Sequence, residues 1–248
     1  MFDWSRVKDP AIAEKVRGEA AAFMARCHFG TQGIAKTPQD AVATAQRLLD
    51  SGFKALAFDS EMTLIPYVRE MLKGHTPLHV PVGYPMGRNT LKKKLDDLGR
   101  LLELGVEDTC VCLDWQAIFS GRYGDIEREA RTIMDAYGHS FLKNAFVLPA
   151  TLMSDTQLID TCSALDQAGV VSIKVNPGCK LGVSFEEVQL IRRTFPLRFD
   201  IHPSGNIRDL ASAERYLELG CEVIHSASSL DMTEELILRQ LKKYGGID

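Results

Sequence analysis

Short apolar runs alternate with segments of helical spacing along nearly the whole of this chain, and no other feature constrains its fold as tightly. Strands are expected at residues 23–29, 53–58, 78–82, 109–113, 145–148, 170–175, 197–201 and 222–225. Helical segments lie between them. Leu91, Leu95, Leu98 and Leu102 fall on one helix face, with Lys92, Lys93, Lys94, Asp96 and Asp97 expected in water. Helix starts are marked by Thr37-Pro38, by Ser154 and by a possible capping box at Ser184 and Glu187, and Gly52, Gly105, Gly169 and Gly220 follow helix ends. A polar loop at 30–36 links the first strand to the helix beginning near Pro38. Strand–helix alternation implies a parallel sheet, and eight units in about 220 residues imply closure into a (β/α)8 TIM barrel. The expected organisation is a single domain over residues 1–248, with an extra N-terminal helix at 10–22.

Composition narrows the partners. A net charge of −4 without a basic run argues against nucleic-acid binding. No segment has the apolar length to span a bilayer, so no membrane partner is expected. The charged N-terminus lacks the apolar core of a signal peptide, and the six scattered cysteines suit reduced thiols, which points to a cytoplasmic protein. The sequence leaves homo-oligomerisation open.

The sixth strand carries the chemistry. It reads Val-Val-Ser-Ile-Lys-Val-Asn-Pro-Gly over residues 170–178, with Val171, Ile173 and Val175 on one face and Ser172, Lys174 and Asn176 on the other. Both faces of a barrel strand are covered, so Lys174 is expected to point inward near the strand's C-terminal end. Lowering a lysine pKa from about 10.4 to about 7 amounts to roughly 4.6 kcal/mol of destabilisation of the ammonium form, and the neutral amine is the nucleophile of Schiff-base enzymes. A lysine paired with a carboxylate, or one reaching to the barrel mouth, fits the same pattern. Barrels often bind phosphate after strands seven and eight. Here those loops are Pro-Ser-Gly-Asn-Ile-Arg at 203–208 and Ser-Ala-Ser-Ser at 226–229, both small, polar and ahead of a helix. Asn-Pro-Gly-Cys-Lys at 176–180 adds a third polar loop with a cation. The expected anion-binding residues are Gly178, Lys180, Ser204, Gly205, Asn206, Arg208, Ser228 and Ser229.

These segments resemble the deoxyribose-phosphate aldolase family of class I Schiff-base aldolases. Val-Gly-Tyr-Pro-Met-Gly-Arg-Asn-Thr at 82–90 is similar to the family's Gly-Phe-Pro-x-Gly-x-x-Thr after strand three. Ile-Lys-Val-Asn-Pro-Gly at 173–178 resembles its Lys-Thr-Ser-Thr-Gly strand, Ser-Gly-Asn-Ile-Arg at 204–208 its Ser-Gly-Gly-Ile-Arg, and Ala-Ser-Ser at 227–229 its closing phosphate loop. The likeness runs from about Ala25 to Leu241 and makes Lys174 the implied Schiff-base lysine. The departures fall on proton transfer. The family's second lysine, on strand seven, is matched by His202, and its strand-four aspartate by Cys110. Asp59 and Glu61 lie near its strand-two cysteine and asparagine, and Asn206 and Ser226 replace phosphate-loop glycines.

The resemblance therefore implies a lyase making or breaking a C–C bond on a small, phosphorylated carbonyl or sugar substrate. Lys174 would form the iminium and His202, with an ordinary pKa near 6.5, would move protons. Asp59 and Asp114 are the nearest carboxylates to stand in for the missing aspartate, ahead of Glu61, which is expected to cap a helix. Two alternatives remain: a Schiff-base dehydratase, isomerase or cyclising enzyme, and a phosphosugar-binding barrel without turnover. No cofactor is expected. Cys110 and Cys112 share a strand face, but no other Cys or His cluster joins them by spacing, so no metal is expected either. His28 and His225 are expected at the same mouth, without an assigned role.

Overall fold

The computed structural model describes residues 2–30 and 36–247, so most of the polar loop expected at 30–36 lies outside it. Eight parallel strands are present: β1 (Cys27–Gly30), β2 (Ala57–Asp59), β3 (Leu78–Val82), β4 (Asp108–Cys112), β5 (Asn144–Leu148), β6 (Ser172–Val175), β7 (Asp200–Pro203) and β8 (Ile224–His225). Each pairs with its sequence neighbour, β8 returns to β1, and a bridge between Ser204 and His225 joins β7 to β8. The sheet is a TIM barrel, as the alternation predicts.

Ten α-helices accompany the strands among the described residues: α1 (Pro10–Met24), α2 (Pro38–Ser51), α3 (Ile65–Leu72), α4 (Leu91–Glu103), α5 (Trp115–Phe119), α6 (Tyr123–Tyr137), α7 (Asp155–Gln167), α8 (Phe185–Thr194), α9 (Leu210–Glu218) and α10 (Ser229–Tyr244). Local chemistry sets their ends. Thr37, Ser154 and Ser184 each close a capping box with the residue three positions on, and Gly52 takes a left-handed φ of 71° after α2. Glu61 holds the N-cap position of a 3-10 turn (Met62–Leu64) but makes no side-chain cap bond there, contrary to its expected role. The extra helix α1 buries Val16 and Ala20 in a small apolar cluster with Ile237 and Leu241 of α10. The main core lies between the barrel and the outer helices, with Ile173 and Val175 of β6 in it.

Several boundaries move. Residues 23 and 24 end α1 rather than beginning β1, and β7 starts at Asp200, leaving Leu197 95% exposed. Val171 precedes β6 and is exposed, so only Ile173 and Val175 of the expected apolar face are buried. Short α5 has no apolar period for a sequence reading to find. The largest correction concerns Lys94. It is fully buried, not solvated, and its Nζ donates to Glu129 Oε1 at 2.6 Å and to the Cys112 carbonyl at 2.8 Å. Lys92 and Lys93 do face water, paired with Asp96 and Asp97. Removing one partner of a buried pair strands the other. Lys94→Ala should therefore lower the unfolding free energy by about 3 kcal/mol in urea titrations, whereas Lys92→Ala should change it by less than about 0.5 kcal/mol. Equal effects would return Lys94 to the solvated face.

Candidate active site

Strand period places every second side chain inside the barrel. On β6 the inward residues are Ser172 and Lys174, both buried. Lys174 is 1% exposed and stands between Val147 of β5 and His202 of β7 in register. Among the described residues no ion pair involves it, in contrast to Lys94 with Glu129. The placement expected for Lys174 and His202, one strand apart on the inward face, is what the register gives. Cys110 also points inward, packed with Cys112, Ala145 and Val147 and covered by Tyr84.

The rest of the interior is polar. His28 Nδ1 lies 2.9 Å from Asp59 Oδ1, His79 Nδ1 lies 3.0 Å from Asp108 Oδ2, and His225 Nδ1 lies 3.5 Å from Asp59 Oδ2. His202 Nε2 approaches Asp200 Oδ2 at 3.1 Å, off the line of a full hydrogen bond, and Lys143 Nζ binds the same oxygen. Burial alone would raise the Asp59 carboxyl, but His225 and His28 together hold it well below its ordinary value. Asp108 is depressed against burial by His79, and Asp200 against burial by His202 and Lys143. Burial also opposes charge on His79, yet Cys110 and Asp108 outweigh it and push this imidazole up to about 10. Burial drives His28 and His225 the other way, towards the neutral ring.

Above this network the strand C-termini surround a cavity of about 310 Å³. Asp59 and His225 form part of its floor, and Gly178, Lys180, Ser204, Gly205, Asn206, Arg208 and Ser228 line it as expected. Gly205 has a φ of 86°, and a Cβ there would sit 2.0 Å from the Leu181 carbonyl oxygen, so only glycine fits. Asn206 holds φ 58°, a left-handed conformation that asparagine tolerates where a second glycine would otherwise serve. The loop after β6 is similarly bent, with positive φ at Asn176, Gly178, Cys179 and Lys180. Tyr84 Oη meets Cys179 Sγ at 2.8 Å and ties the loop after β3 to it.

Two expected site residues are elsewhere. The Asp114 carboxylate accepts from Gln116 N at 2.9 Å as the N-cap of α5, and Asp114 does not line the cavity. Ser229 is fully buried, its hydroxyl donating to the His28 carbonyl at 3.1 Å and the Ser226 carbonyl at 2.8 Å, so it is structural rather than anion-binding.

Known proteins are similar to this chain in both sequence and fold. It is 26% identical over 175 residues to the deoxyribose-phosphate aldolase of Geobacillus sp. (strain WCH70), covering 69% of this chain and 78% of that one. With the deoxyribose-phosphate aldolase of Alkaliphilus oremlandii it shares 23% over 202 residues, 80% of this chain and 89% of the other. The chain is a divergent relative of the deoxyribose-phosphate aldolases. Solved structures agree on the fold: an aldolase named QR15 superposes with a TM-score of 0.80 at 19% identity, over 89% of this chain and 98% of its own. The tetrameric deoxyribose phosphate aldolase of Aeropyrum pernix gives 0.76 at 20% identity, over 88% and 92%. No family profile matches the chain.

Relative to the aldolase pattern described above, the sequence reading missed His79, Asp108 and Asp200. Each sits at or next to the start of a strand, where a polar residue looks like part of a preceding turn. The inward period through Asp108, Cys110 and Cys112, and through Asp200 and His202, was the available signal. The low carboxyl pKa of Asp200 fixes a pH effect. Its folded value lies well below the unfolded one of about 3.9, so its stabilisation is complete above the unfolded value and is lost progressively as pH falls from there through the folded value. The stability gap between the wild type and Asp200→Asn should be widest near neutrality and narrow progressively as pH falls below about 4 in urea titrations. A gap independent of pH would mean that Asp200 is not held ionised.

Proposed function

We propose that this chain is a class I aldolase-type lyase in which Lys174 forms a Schiff base with a small, phosphorylated carbonyl substrate. The observation that carries this reading is a lysine 1% exposed inside the barrel, without an ion-pair partner among the described residues, on the strand whose following loop lines the cavity; Lys174 and His202 themselves lie among the barrel side chains and are not part of the cavity wall. An inward lysine amine that no carboxylate holds is the kind of nucleophile an iminium needs. Its place on β6 matches the lysine strand that the sequence resembles.

The steps follow from the neighbours. Lys174 Nζ adds to the carbonyl to give a carbinolamine, a proton is delivered to its hydroxyl, and water leaves. As the substrate's β-hydroxyl loses its proton, the iminium accepts the electron pair of the bond between the α and β carbons, which breaks to an enamine and an aldehyde; protonation of the enamine and hydrolysis of the resulting iminium free Lys174, and the synthetic direction is the reverse. His202, beside Lys174 in register and backed by Asp200, carries the protons. Asp59 is held as an anion by His225 and His28, which makes it a poor donor, and Asp114 is committed to its helix. Tyr84 packs over the Cys110–Val147 side of the interior next to Lys174, so substrate descending from the cavity passes it. The backbone N–H groups of Gly205, Asn206 and Ala227, with Arg208 and Lys180, hold the phosphate and orient the carbonyl towards Lys174, whereas the Ser204 and Ser228 N–H groups are already bound to the Val175 carbonyl and Ser226 Oγ.

His202 and Cys110 replace the family's strand-seven lysine and strand-four aspartate, so we assign the bond class rather than deoxyribose phosphate as the substrate. Borohydride reduction in the presence of small aldehydes and ketones should leave a mass adduct on Lys174 and none in Lys174→Met. His202→Ala should still be trapped while its kcat falls by about 10²–10⁴-fold. An adduct on another lysine, with Lys174→Met active, would overturn the assignment. Inorganic phosphate should compete with phosphorylated substrates, and substrates lacking the phosphate should bind more weakly; equal affinity for both forms would remove the anion site from the account.

A further inference from the structure

His28, Asp59, His79 and His225 converge from four strands of the barrel on one point. One ligand atom from each lies within 4.8 Å of all the others, and all four residues are buried. Asp59 Oδ1 is 2.9 Å from His28 Nδ1 and 4.0 Å from His79 Nε2, and Asp59 Oδ2 is 3.5 Å from His225 Nδ1. From these contacts we infer that the barrel holds a divalent transition metal of the zinc class, bound by His28, Asp59, His79 and His225 beneath the cavity floor.

Three observations support a bound ion over a purely hydrogen-bonded cluster. First, His79 Nε2 and both nitrogens of His225 are buried without a hydrogen-bond partner. Buried polar atoms are nearly always satisfied, and a ring nitrogen left bare is expensive unless something else occupies it. Second, the outer contacts are those of a metal site. His79 directs its Nδ1 to Asp108 Oδ2 at 3.0 Å, which leaves Nε2 to face the centre. The same Asp108 oxygen lies 3.4 Å from His28 Nε2, on the far side of that ring from Asp59. Asp108 is itself fixed by the Lys143 N–H at 2.8 Å. A carboxylate behind a ligating imidazole sets the tautomer and orientation of the ring, and Asp108 does this for His79 while lying close to His28 Nε2 without hydrogen-bonding it. Third, the donor set fits. Three imidazoles and one carboxylate are ligands that zinc and cobalt accept, and bonds of about 2.0–2.1 Å in a tetrahedron put donors about 3.4 Å apart. The contacts of 2.9 and 4.0 Å at Asp59 Oδ1 and 3.5 Å at Oδ2 lie on either side of that value, and the four-atom set as a whole spans up to 4.8 Å, so an ion would draw it inward.

The site also communicates with the mouth. Asp59 and His225 line the cavity, so a metal held by them lies directly under the bound substrate. Imine formation at Lys174 does not depend on it, and the two assignments can fail separately.

The test uses the full chain, expressed with zinc in the medium. Elemental analysis should find about one zinc per chain. After chelation, titration with Co²⁺ should develop the visible absorption of tetrahedral cobalt and saturate at the same stoichiometry. His79→Ala and His225→Ala should abolish both signals, Asp108→Asn should weaken Co²⁺ binding by about 10–100-fold, and Lys174→Met should bind as the wild type does. Should the histidine variants fail to fold, the wild type decides: added Zn²⁺ should raise the melting temperature of the chelated protein and saturate at about one equivalent. Folded wild-type protein that takes up neither Zn²⁺ nor Co²⁺, or binding that persists in both folded histidine variants, would overturn the site.

Discussion

A (β/α)8 barrel is ordinarily filled by branched apolar side chains in layers, and much of the interior of this one is filled by ionisable groups. His28, Asp59, His79, Asp108, Lys174, His202 and His225 are all buried there, with Asp200 at the start of β7. Charges in such a place are tolerated only as a mutually compensating set. Histidines hold the Asp59 and Asp108 carboxyls low against burial, Cys110 and Asp108 push the His79 imidazole up, and Lys143 anchors the floor by binding both Asp200 and Asp108. The apolar stabilisation lies outside the strands, between sheet and helices, where Ile173, Val175 and their neighbours pack. This division frees the interior for chemistry while the outer layer holds the fold.

The same division explains why the fold was legible and the interior only partly so. Apolar residues facing the helices and glycines after helix ends leave a period in the sequence, and eight repeats of it left little choice of architecture. Lys174 was legible because it interrupts an apolar strand, and the bend at Gly205–Asn206 because small polar residues stood where a barrel binds anions. His79 was not, because one histidine between leucine and valine carries no mark of the four residues from other strands that it meets, His28, Asp59, Asp108 and His225. Ser229 and Asp114 show the converse: both have the right residue type near a strand end, and both spend their side chains on local hydrogen bonds. Lys94 was misplaced because a run of three lysines on a helix looks solvated, while the third of them turns inward to Glu129.

On the proposed reading, His202 and Cys110, where the resemblance puts a second lysine and an aspartate, change how protons reach the substrate. Asp200 stands behind His202 from the floor of the barrel, so the proposed acid-base group and its support come from the same strand, two residues apart. Asp59 and His225, which meet the cavity from the other side, are tied into the histidine cluster. The site therefore has two chemical halves, an amine with its histidine on β6 and β7, and a donor cluster on β1, β2, β3 and β8. The phosphate-like loops after β7 and β8 bridge them.

The claim on which this account turns is that Lys174 converts a carbonyl into an enamine. The most direct measurement is solvent deuterium exchange, followed by proton NMR in D₂O with acetaldehyde, acetone and dihydroxyacetone supplied singly. An enamine releases and regains the proton next to the carbonyl, so the wild type should wash deuterium into at least one of these donors, and Lys174→Met should wash it into none. Exchange that survives in Lys174→Met and disappears on chelation would contradict the account and move the chemistry to the other half of the barrel.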